Sequence, residues 1–198
     1  YGVLTKMFNV ARFASQFQVP ENLDFPPNLK QEDVWILSEF HGVLSTVHAA
    51  WEGVDIYTAA QAIKSFGTGI FPSHWLEMSK SRLYDGDQSS TWTLHRIVRD
   101  LLTIFTPICP FFTHYLTMTL YDESSVDAKE FPILPSSCGN DEFDSISELT
   151  DSLVSFNSMV WKKKKDSGMS LKSPIEGVTI PDELAPFSES LARMHNIS

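Results

Sequence analysis

The chain has 198 residues, of which 42% are hydrophobic and 12% aromatic, and this composition excludes a disordered or collagen-like protein. Its two cysteines exclude a disulfide scaffold and favour a reducing, cytoplasmic compartment. The net charge of −10 argues at first against a nucleic-acid-binding protein, but eight of the acidic residues lie between Asp122 and Glu148, so the acidity is local.

Two amphipathic helices are predicted in the first quarter of the chain. The first covers residues 3–18 and ends before Pro20. Its expected apolar face consists of Leu4, Met7, Phe8 and Ala11. A proline-containing loop over 19–31 leads into the second helix, over 32–51. There the apolar side chains recur at helical spacing: Ile36, Phe40, Val43, Leu44, Val47 and Trp51.

Two further helices follow, each marked by its capping or breaking residues. Asp55 is a candidate N-cap for the third helix, inside which Gly67, Gly69 and Pro72 predict a kink or break. The fourth helix begins after a turn at 85–87. Its apolar stripe is Leu94, Val98, Leu101, Leu102 and Phe105. Pro107 and Pro110 interrupt the pattern, which resumes over 111–120.

The last third of the chain predicts a change of architecture. An irregular acidic stretch over 121–141 precedes a fifth helix over 142–166, with Gly168 as its C-cap residue. Residues 177–181 favour a short strand, and 182–194 favour a last helix. The sequence therefore predicts a mainly α fold, with an up-and-down helical bundle over 1–135 followed by a small α/β subdomain over 142–198.

No catalytic or metal centre is expected from the residue patterns. The six histidines lack the spacing of metal ligands, and no glycine-rich phosphate-binding loop is present. No apolar run approaches the about 20 residues that a membrane-spanning helix needs, so no membrane partner is expected. Tyr1 already lies within the first helical pattern, and we therefore expect the chain to be part of a longer protein.

Three residues of the first helix form a candidate RNA-binding patch. Asn9 and Arg12 are three positions apart and share a face, and Phe13 lies at its edge. An amide, a guanidinium and an aromatic ring are the groups that hydrogen-bond to single-stranded RNA bases and stack on them. The alternative for Phe13 is a position in the core.

Two basic clusters are candidate phosphate contacts. Lys80 and Arg82 end the third helix, and Lys162, Lys163, Lys164 and Lys165 end the fifth. Both clusters also have a structural explanation, because cations at a helix C-terminus oppose the macrodipole and satisfy the terminal carbonyls.

Four segments, in register, resemble one family. The first is Lys6-Met7-Phe8-Asn9-Val10-Ala11-Arg12-Phe13, similar to K-L-W-N-x-A/S-R-F, and the second is Asp33-Val34-Trp35-Ile36-Leu37-Ser38, similar to D-x-W-I-L-S. The third contains Ala59-Ala60-Gln61-Ala62 and Trp75-Leu76-Glu77-Met78. The fourth runs from Thr93-Leu94-His95 to Pro107-Ile108-Cys109-Pro110-Phe111-Phe112-Thr113. Together they resemble the anticodon-binding domain of class Ia aminoacyl-tRNA synthetases.

Within this family the archaeal valyl-type members resemble the chain most, and the isoleucyl-type members are the nearest alternative. The pointers are Trp92-Thr93-Leu94-His95, Glu130-Phe131-Pro132 and the tail from Trp161 to Ile175. That tail is similar to the W-K-x-K-K-E-x-G-L-S-L-x-x-P-I with which the family's C-terminal junction subdomain opens. Gly67 and Pro72 depart from the family pattern, which has helix formers and aromatics there.

The resemblance implies a domain that recognises tRNA, with valine specificity expected, and that carries no catalytic residue or cofactor of its own. Asn9, Arg12 and Phe13 would contact anticodon bases, and the two basic clusters would contact phosphates. ATP with magnesium is implied for the parent enzyme, which attaches the amino acid to its tRNA. We expect a cytoplasmic monomer that binds neither DNA nor membranes.

One further match to the family is interpreted as a coincidence. Met78-Ser79-Lys80-Ser81 repeats four letters of the KMSKS loop with which these enzymes handle ATP, but here it ends an amphipathic helix.

Two alternative functions of other classes stay open. One is a protein-interaction module whose acidic 122–148 segment faces a basic partner. The other is a stand-alone enzyme that uses His95 or His114 in a pocket between helices.

Overall fold

A computed structural model of the chain describes residues 2–122, 130–135 and 145–197. Its helices are α1 Gly2–Ala14, α2 Gln31–Glu52, α3 Ile56–Ser65, a π-helix Phe66–Trp75, α4 Leu76–Tyr84, α5 Gln88–Phe105, α6 Pro110–Tyr121, α7 Thr150–Asp166, a 3₁₀-helix Asp182–Phe187 and α8 Ser188–His195. The mainly α fold is confirmed, and within the described ranges no helix is both long and apolar enough to cross a membrane.

The core is centred on α2, which packs against α3, α5 and the π-helix. Four of the apolar residues predicted on its inner face are buried, namely Ile36, Phe40, Leu44 and Val47, while Val43 and Trp51 are partly buried. The predicted stripe of α5, from Leu94 to Phe105, is also buried. Each fully buried side chain of this size stabilises the fold by about 1.5–3 kcal/mol.

The first helix is shorter than predicted and presents a different face to the core. It ends at Ala14, and its buried residues are Met7, Val10, Ala11 and Ala14. Leu4 and Phe8, expected in the core, are 37% and 40% exposed, so that part of the prediction is wrong. The buried residues follow the helical spacing i, i+3, i+4, i+7, and Phe8 lies just outside that stripe.

The predicted kink in the third helix takes the form of a π-helix. Asp55 caps α3 as expected, with its Oδ1 accepting from Thr58 N at 3.0 Å. After Ser65 the chain stays helical but unwinds into the wider π form over Phe66–Trp75, which contains Pro72, and then continues as α4. Gly67 allows this segment to approach α5, because a Cβ there would lie 3.2 Å from Leu101 Cδ2. π-Helices are rare and occur frequently at functional sites.

A buried carboxylate fixes the start of α2 to α4 and α5. Asp33 accepts from Trp75 Nε1 at 3.0 Å, from two nitrogens of Arg82 at 2.8 Å each, and from Ser89 Oγ at 2.5 Å. Asp33 and Trp75 are fully buried, and Arg82 is 7% exposed. The second and third of the segments that resemble the family thus meet in one cluster, through Asp33 and Trp75.

The C-terminal part packs on the bundle as helices, and the predicted strand is absent from its described residues. Residues 177–181 form no strand, and the single β-bridge found among the described residues joins Ile175 to Ile197. The strand predicted over 177–181 is therefore wrong, and the α/β character expected for this part is not shown by the described residues. Gly168 ends α7 as predicted, with φ +66° and its N–H donating to Lys165 O at 3.0 Å. The described part of α7 begins at Thr150, later than expected, and residues 136–144 lie outside the described residues.

Candidate RNA-binding site

A groove runs between α1 on one side and the π-helix and α4 on the other, and we call it the α1–α4 groove. It encloses a cavity of about 260 Å³. Asn9 and Phe13 line it from α1, Pro72 and Ser73 from the π-helix, and Lys80 from α4. Asn9 and Phe13, which are predicted to contact RNA bases, and Lys80, which is predicted to contact phosphate, therefore line the same groove.

The third predicted base-contacting residue lies beside this cavity. Arg12 and Asn9 are both exposed on α1, three residues apart, so their side chains project from the same side of the helix. Phe13 is partly buried and forms one wall of the groove. A guanidinium and an amide next to a ring are placed to bond base edges while a base stacks.

The ring of Phe13 belongs to an aromatic cluster that the sequence analysis missed. Phe13, Phe17 and Tyr84 lie with ring centroids 5.1 Å (Phe13–Phe17), 5.5 Å (Phe17–Tyr84) and 6.2 Å (Phe13–Tyr84) apart. Tyr84 is 65% exposed, so a large ring face is open to a ligand. The i, i+4 spacing of Phe13 and Phe17 was a visible signal for half of this cluster, but the approach of Tyr84 depends on the packing of α4 on α1.

A second, larger cavity adjoins the aromatic cluster on the side of Phe17. Its volume is about 650 Å³, and it lies between the loop after α1 and the start of α5. Phe17, Phe25 and Trp92 line it together with polar groups such as Gln16 and Asn22. Phe25 is 76% exposed. Phe17 lines this cavity and Phe13 lines the α1–α4 groove, so these two contacting rings lie between the two cavities.

Lysines supply positive charge at the rim of the groove. Lys6 Nζ donates across the groove to Thr68 O at 3.3 Å, linking α1 to the π-helix. Lys80 Nζ lies 2.5 Å from Glu77 Oε1, and both side chains are about 40% exposed, at 40% and 42%. An exposed pair of this kind contributes little to stability, so Lys80 can exchange Glu77 for a phosphate at small cost.

Two residues predicted to contact phosphates are in the interior instead. Arg82 is paired with Asp33 and Asp87, at 2.8 Å and 3.0 Å. Lys164 is fully buried, and its Nζ donates to Leu171 O at 2.8 Å and to His195 O at 2.7 Å. These contacts satisfy both cations within the fold. Arg82 and Lys164 are therefore no longer candidates for contacts with RNA phosphates.

The other three lysines of that run remain candidates. Lys162 and Lys165 are exposed, and Lys163 is exposed while its Nζ donates to Glu176 O and Gly177 O at 3.3 Å and 3.0 Å. They lie at the C-terminal end of α7 and do not line the α1–α4 groove. The structure brings Lys80 together with the residues predicted to contact bases and leaves this lysine cluster as a separate patch.

The histidines proposed for a stand-alone enzyme line neither of these two cavities. His95 is fully buried, its Nε2 lies 3.2 Å from Phe17 O, and burial lowers its pKa despite that hydrogen bond. His114 is partly exposed on α6.

Most of the acidic segment over 122–148, which was proposed to face a protein partner, lies outside the described residues. Met78 and Ser79 of the KMSKS-like match are buried within α4.

Comparison with known proteins shows the family to which the chain belongs. Residues 33–180, which are most of the chain, match the family model for the anticodon-binding domain of tRNA ligases. The chain therefore belongs to that family. Similar proteins include the valine–tRNA ligases of Saccharolobus solfataricus, 29% identical over 87% of this chain and 20% of the ligase, and of Pyrobaculum aerophilum, 30% identical over 98% of this chain and 24% of the ligase. The valine–tRNA ligase of Nanoarchaeum equitans is 28% identical over 98% of this chain and 24% of its own length. The chain therefore spans about a quarter or less of the length of these relatives.

Proposed function

We propose that the chain is the tRNA-recognition part of a valine–tRNA ligase and that it binds the anticodon stem-loop in the α1–α4 groove. The observation that carries the proposal is the convergence of Asn9, Arg12, the aromatic cluster and Lys80 at that groove. The family match supports an anticodon-binding role, and the valine–tRNA ligases among its relatives support the choice of amino acid.

The chemistry of the groove suits an unpaired RNA loop. A base stacked on Tyr84 would extend the edge-to-face packing of Phe13 and Phe17, and each such stack contributes about 1–3 kcal/mol. Arg12 and Asn9 supply donors, and Asn9 an acceptor, for base edges. Lys80 and the exposed Lys162, Lys163 and Lys165 would hold the backbone without reading sequence. A loop suits this site better than a duplex because only unstacked bases can stack on aromatic side chains and offer their edges to hydrogen-bonding groups.

The reaction itself belongs to the parent enzyme in this proposal. That enzyme would attach valine to its tRNA with ATP and magnesium, and no residue of the present chain is assigned a catalytic role. We propose further that the parent is a cytoplasmic monomer without DNA or membrane partners. The net charge of −10 predicts that binding by this chain alone is weak.

Chemical-shift mapping tests the proposed site directly. Adding the anticodon stem-loop of a valine tRNA to the isotope-labelled chain should shift signals of Asn9, Arg12 and Tyr84, and those of Lys80. The exposed face of α6, which includes Tyr115, should not respond. Shifts on α6 with none in the α1–α4 groove would place the RNA elsewhere, and a stronger response to an isoleucine stem-loop would favour the isoleucyl-type alternative.

A further inference from the structure

The π-helix has two sides with different partners. On one side, Thr68, Pro72 and Ser73 line the α1–α4 groove. On the other side, Phe71, His74 and Trp75 are buried. Trp75 is held by Asp33, as described above, and Phe71 stacks between Phe66 and Trp75 at 5.6 Å and 5.3 Å. The position of the groove wall formed by the π-helix therefore depends on the contacts of its buried side chains.

One amide of α7 joins this wall to the C-terminal helices. Asn157 is fully buried, and its Nδ2 donates to His74 Nδ1 at 3.0 Å. Its Oδ1 accepts from His195 Nε2 of α8 at 2.7 Å. In this arrangement His74 accepts at Nδ1 and is neutral, with its proton on Nε2, and His195 carries a proton on Nε2, so one side chain hydrogen-bonds to two buried rings on different elements. A leucine or alanine at this position could make neither bond.

The surroundings of Asn157 hold the two histidines in place. Trp161 lies between them, with its ring centroid 5.4 Å from that of His74 and 5.8 Å from that of His195. The charged and titratable groups near His195 are Lys164, whose Nζ donates to the His195 carbonyl, and His74. Burial, the charge of Lys164 and His74 together lower the pKa of His195 to about 4, so the ring stays neutral near pH 7.

The C-terminal helices are themselves anchored to the first half of the bundle at other points. Trp35 Nε1 donates to Thr150 Oγ1 at 2.8 Å, and Thr150 Oγ1 donates to Glu39 Oε1 at 2.7 Å. Ser190 Oγ donates to Glu32 Oε1, and Trp35 packs against Phe187 with centroids 6.0 Å apart. These contacts dock α7 and α8 on α2, whereas the bond between His74 and Asn157 joins α7 to the π-helix within the described part of the chain.

We propose that Asn157 is a positioning residue for RNA binding, through which α7 and α8 hold the π-helix in the shape that forms the wall of the α1–α4 groove. This inference rests on the proposed function. It assigns the C-terminal helices a role in recognition although Asn157 has no exposed surface with which to touch a ligand. Buried polar groups of this kind specify one arrangement of the elements that they join.

The test compares Asn157→Leu with Thr150→Val, which removes from α7 a partly buried hydroxyl that contacts α2 and not the π-helix. In the RNA-free chain, Asn157→Leu should speed amide hydrogen exchange over residues 68–76, and Thr150→Val should leave that segment protected. With the valine stem-loop, Asn157→Leu should weaken binding by about fivefold or more, the usual lower range for coupled sites. Thr150→Val should bind as the unsubstituted chain does.

A second variant covers the case in which Asn157→Leu fails to fold. His74→Phe removes the same hydrogen bond to Asn157 from the side of the π-helix and keeps a ring against Trp161. It should give the same faster hydrogen exchange over 68–76 and the same loss of affinity for the stem-loop. Unchanged exchange over 68–76 in both variants would overturn the proposal, as would equal losses in Thr150→Val. If the unsubstituted chain does not bind the stem-loop, the proposed function fails, and the exchange data still decide whether Asn157 positions the wall.

Discussion

Arg82 and Asp33 form a buried ion pair in which Nη1 and Nη2 of the guanidinium each lie 2.8 Å from a carboxylate oxygen. Burial alone would lower the pKa of Arg82, but the hydrogen bonds and charge of Asp33 outweigh it, and the pKa is raised. The pair joins the start of α2 to α4, and thereby sets the position of the helix that carries Lys80 and Tyr84.

Breaking this pair should destabilise the fold strongly. Removing one partner leaves the other charge buried, so Asp33→Ala should lower the free energy of unfolding by about 3–5 kcal/mol. The measurement is urea denaturation followed by circular dichroism. The control is Glu77→Gln, which breaks the exposed pair with Lys80 and should cost at most about 1 kcal/mol. Equal effects of the two substitutions would show that the buried pair does not anchor α4.

Tyr84 should contribute to RNA affinity by stacking. Tyr84→Ala should weaken binding of the valine anticodon stem-loop by about 1–3 kcal/mol, with little change in stability, because the ring is largely exposed. The matched control is Tyr115→Ala on α6, since Tyr115 is 60% exposed and lines neither cavity described above. Fluorescence anisotropy measures both. If the two alanine variants bind alike, the aromatic cluster is not the stacking platform.

The lysines at the end of α7 should separate into two functions. Lys162→Gln and Lys165→Gln should each reduce the slope of log affinity against log salt by about 0.7, as expected for one lost contact to single-stranded RNA. Lys164→Met should leave that slope unchanged and should lower the free energy of unfolding, because two carbonyls lose a buried donor. A changed slope for Lys164→Met alone would reverse this assignment.

Stability should fall as the pH is lowered from 7.5 to 5. His74, His95 and His195 all have lowered pKa values, with burial as the first cause, and that of His195 is about 4. Between about pH 6.5 and 4 the unfolded chain therefore binds more protons than the folded chain, and His195 alone accounts for about 2 kcal/mol at pH 5. Urea titrations at both pH values measure the difference.

The exposed histidines provide the control for this pH dependence. His41→Gln and His48→Gln should retain it, because both side chains are exposed in α2. A free energy of unfolding that does not change between pH 7.5 and pH 5 would contradict the neutral, buried state of His74 and His195.

The helices were predictable because their apolar residues recur at helical spacing. The stripes of α2 and α5 led directly to the core, and Asp55 and Gly168 marked two ends correctly. The phase of α1 was missed because apolar residues at Leu4 and Phe8 lie on the flank of the stripe that is buried. The false strand over 177–181 arose from β-branched residues that find no partner strand among the described residues.

The site was predictable only where it depends on one helix. Asn9, Arg12 and Phe13 share α1, so spacing alone brought them together. Tyr84 joins them through contacts between α1 and α4, which no local pattern reveals. Lys164 had a local signal that was overlooked: Leu153, Asn157, Val160 and Lys164 form one helical stripe, and the first three are also buried.

Recognition of an anticodon loop by the α1–α4 groove can be measured directly. The direct measurement is an anisotropy titration of the chain with a valine anticodon stem-loop and with the same stem carrying a different anticodon, repeated with Arg12→Ala and, as a control, Arg193→Ala on α8. We expect tighter binding of the valine loop, loss of that preference in Arg12→Ala, and no change in Arg193→Ala. Equal affinity for the two loops, unaffected by Arg12→Ala, would show that the α1–α4 groove does not recognise the anticodon.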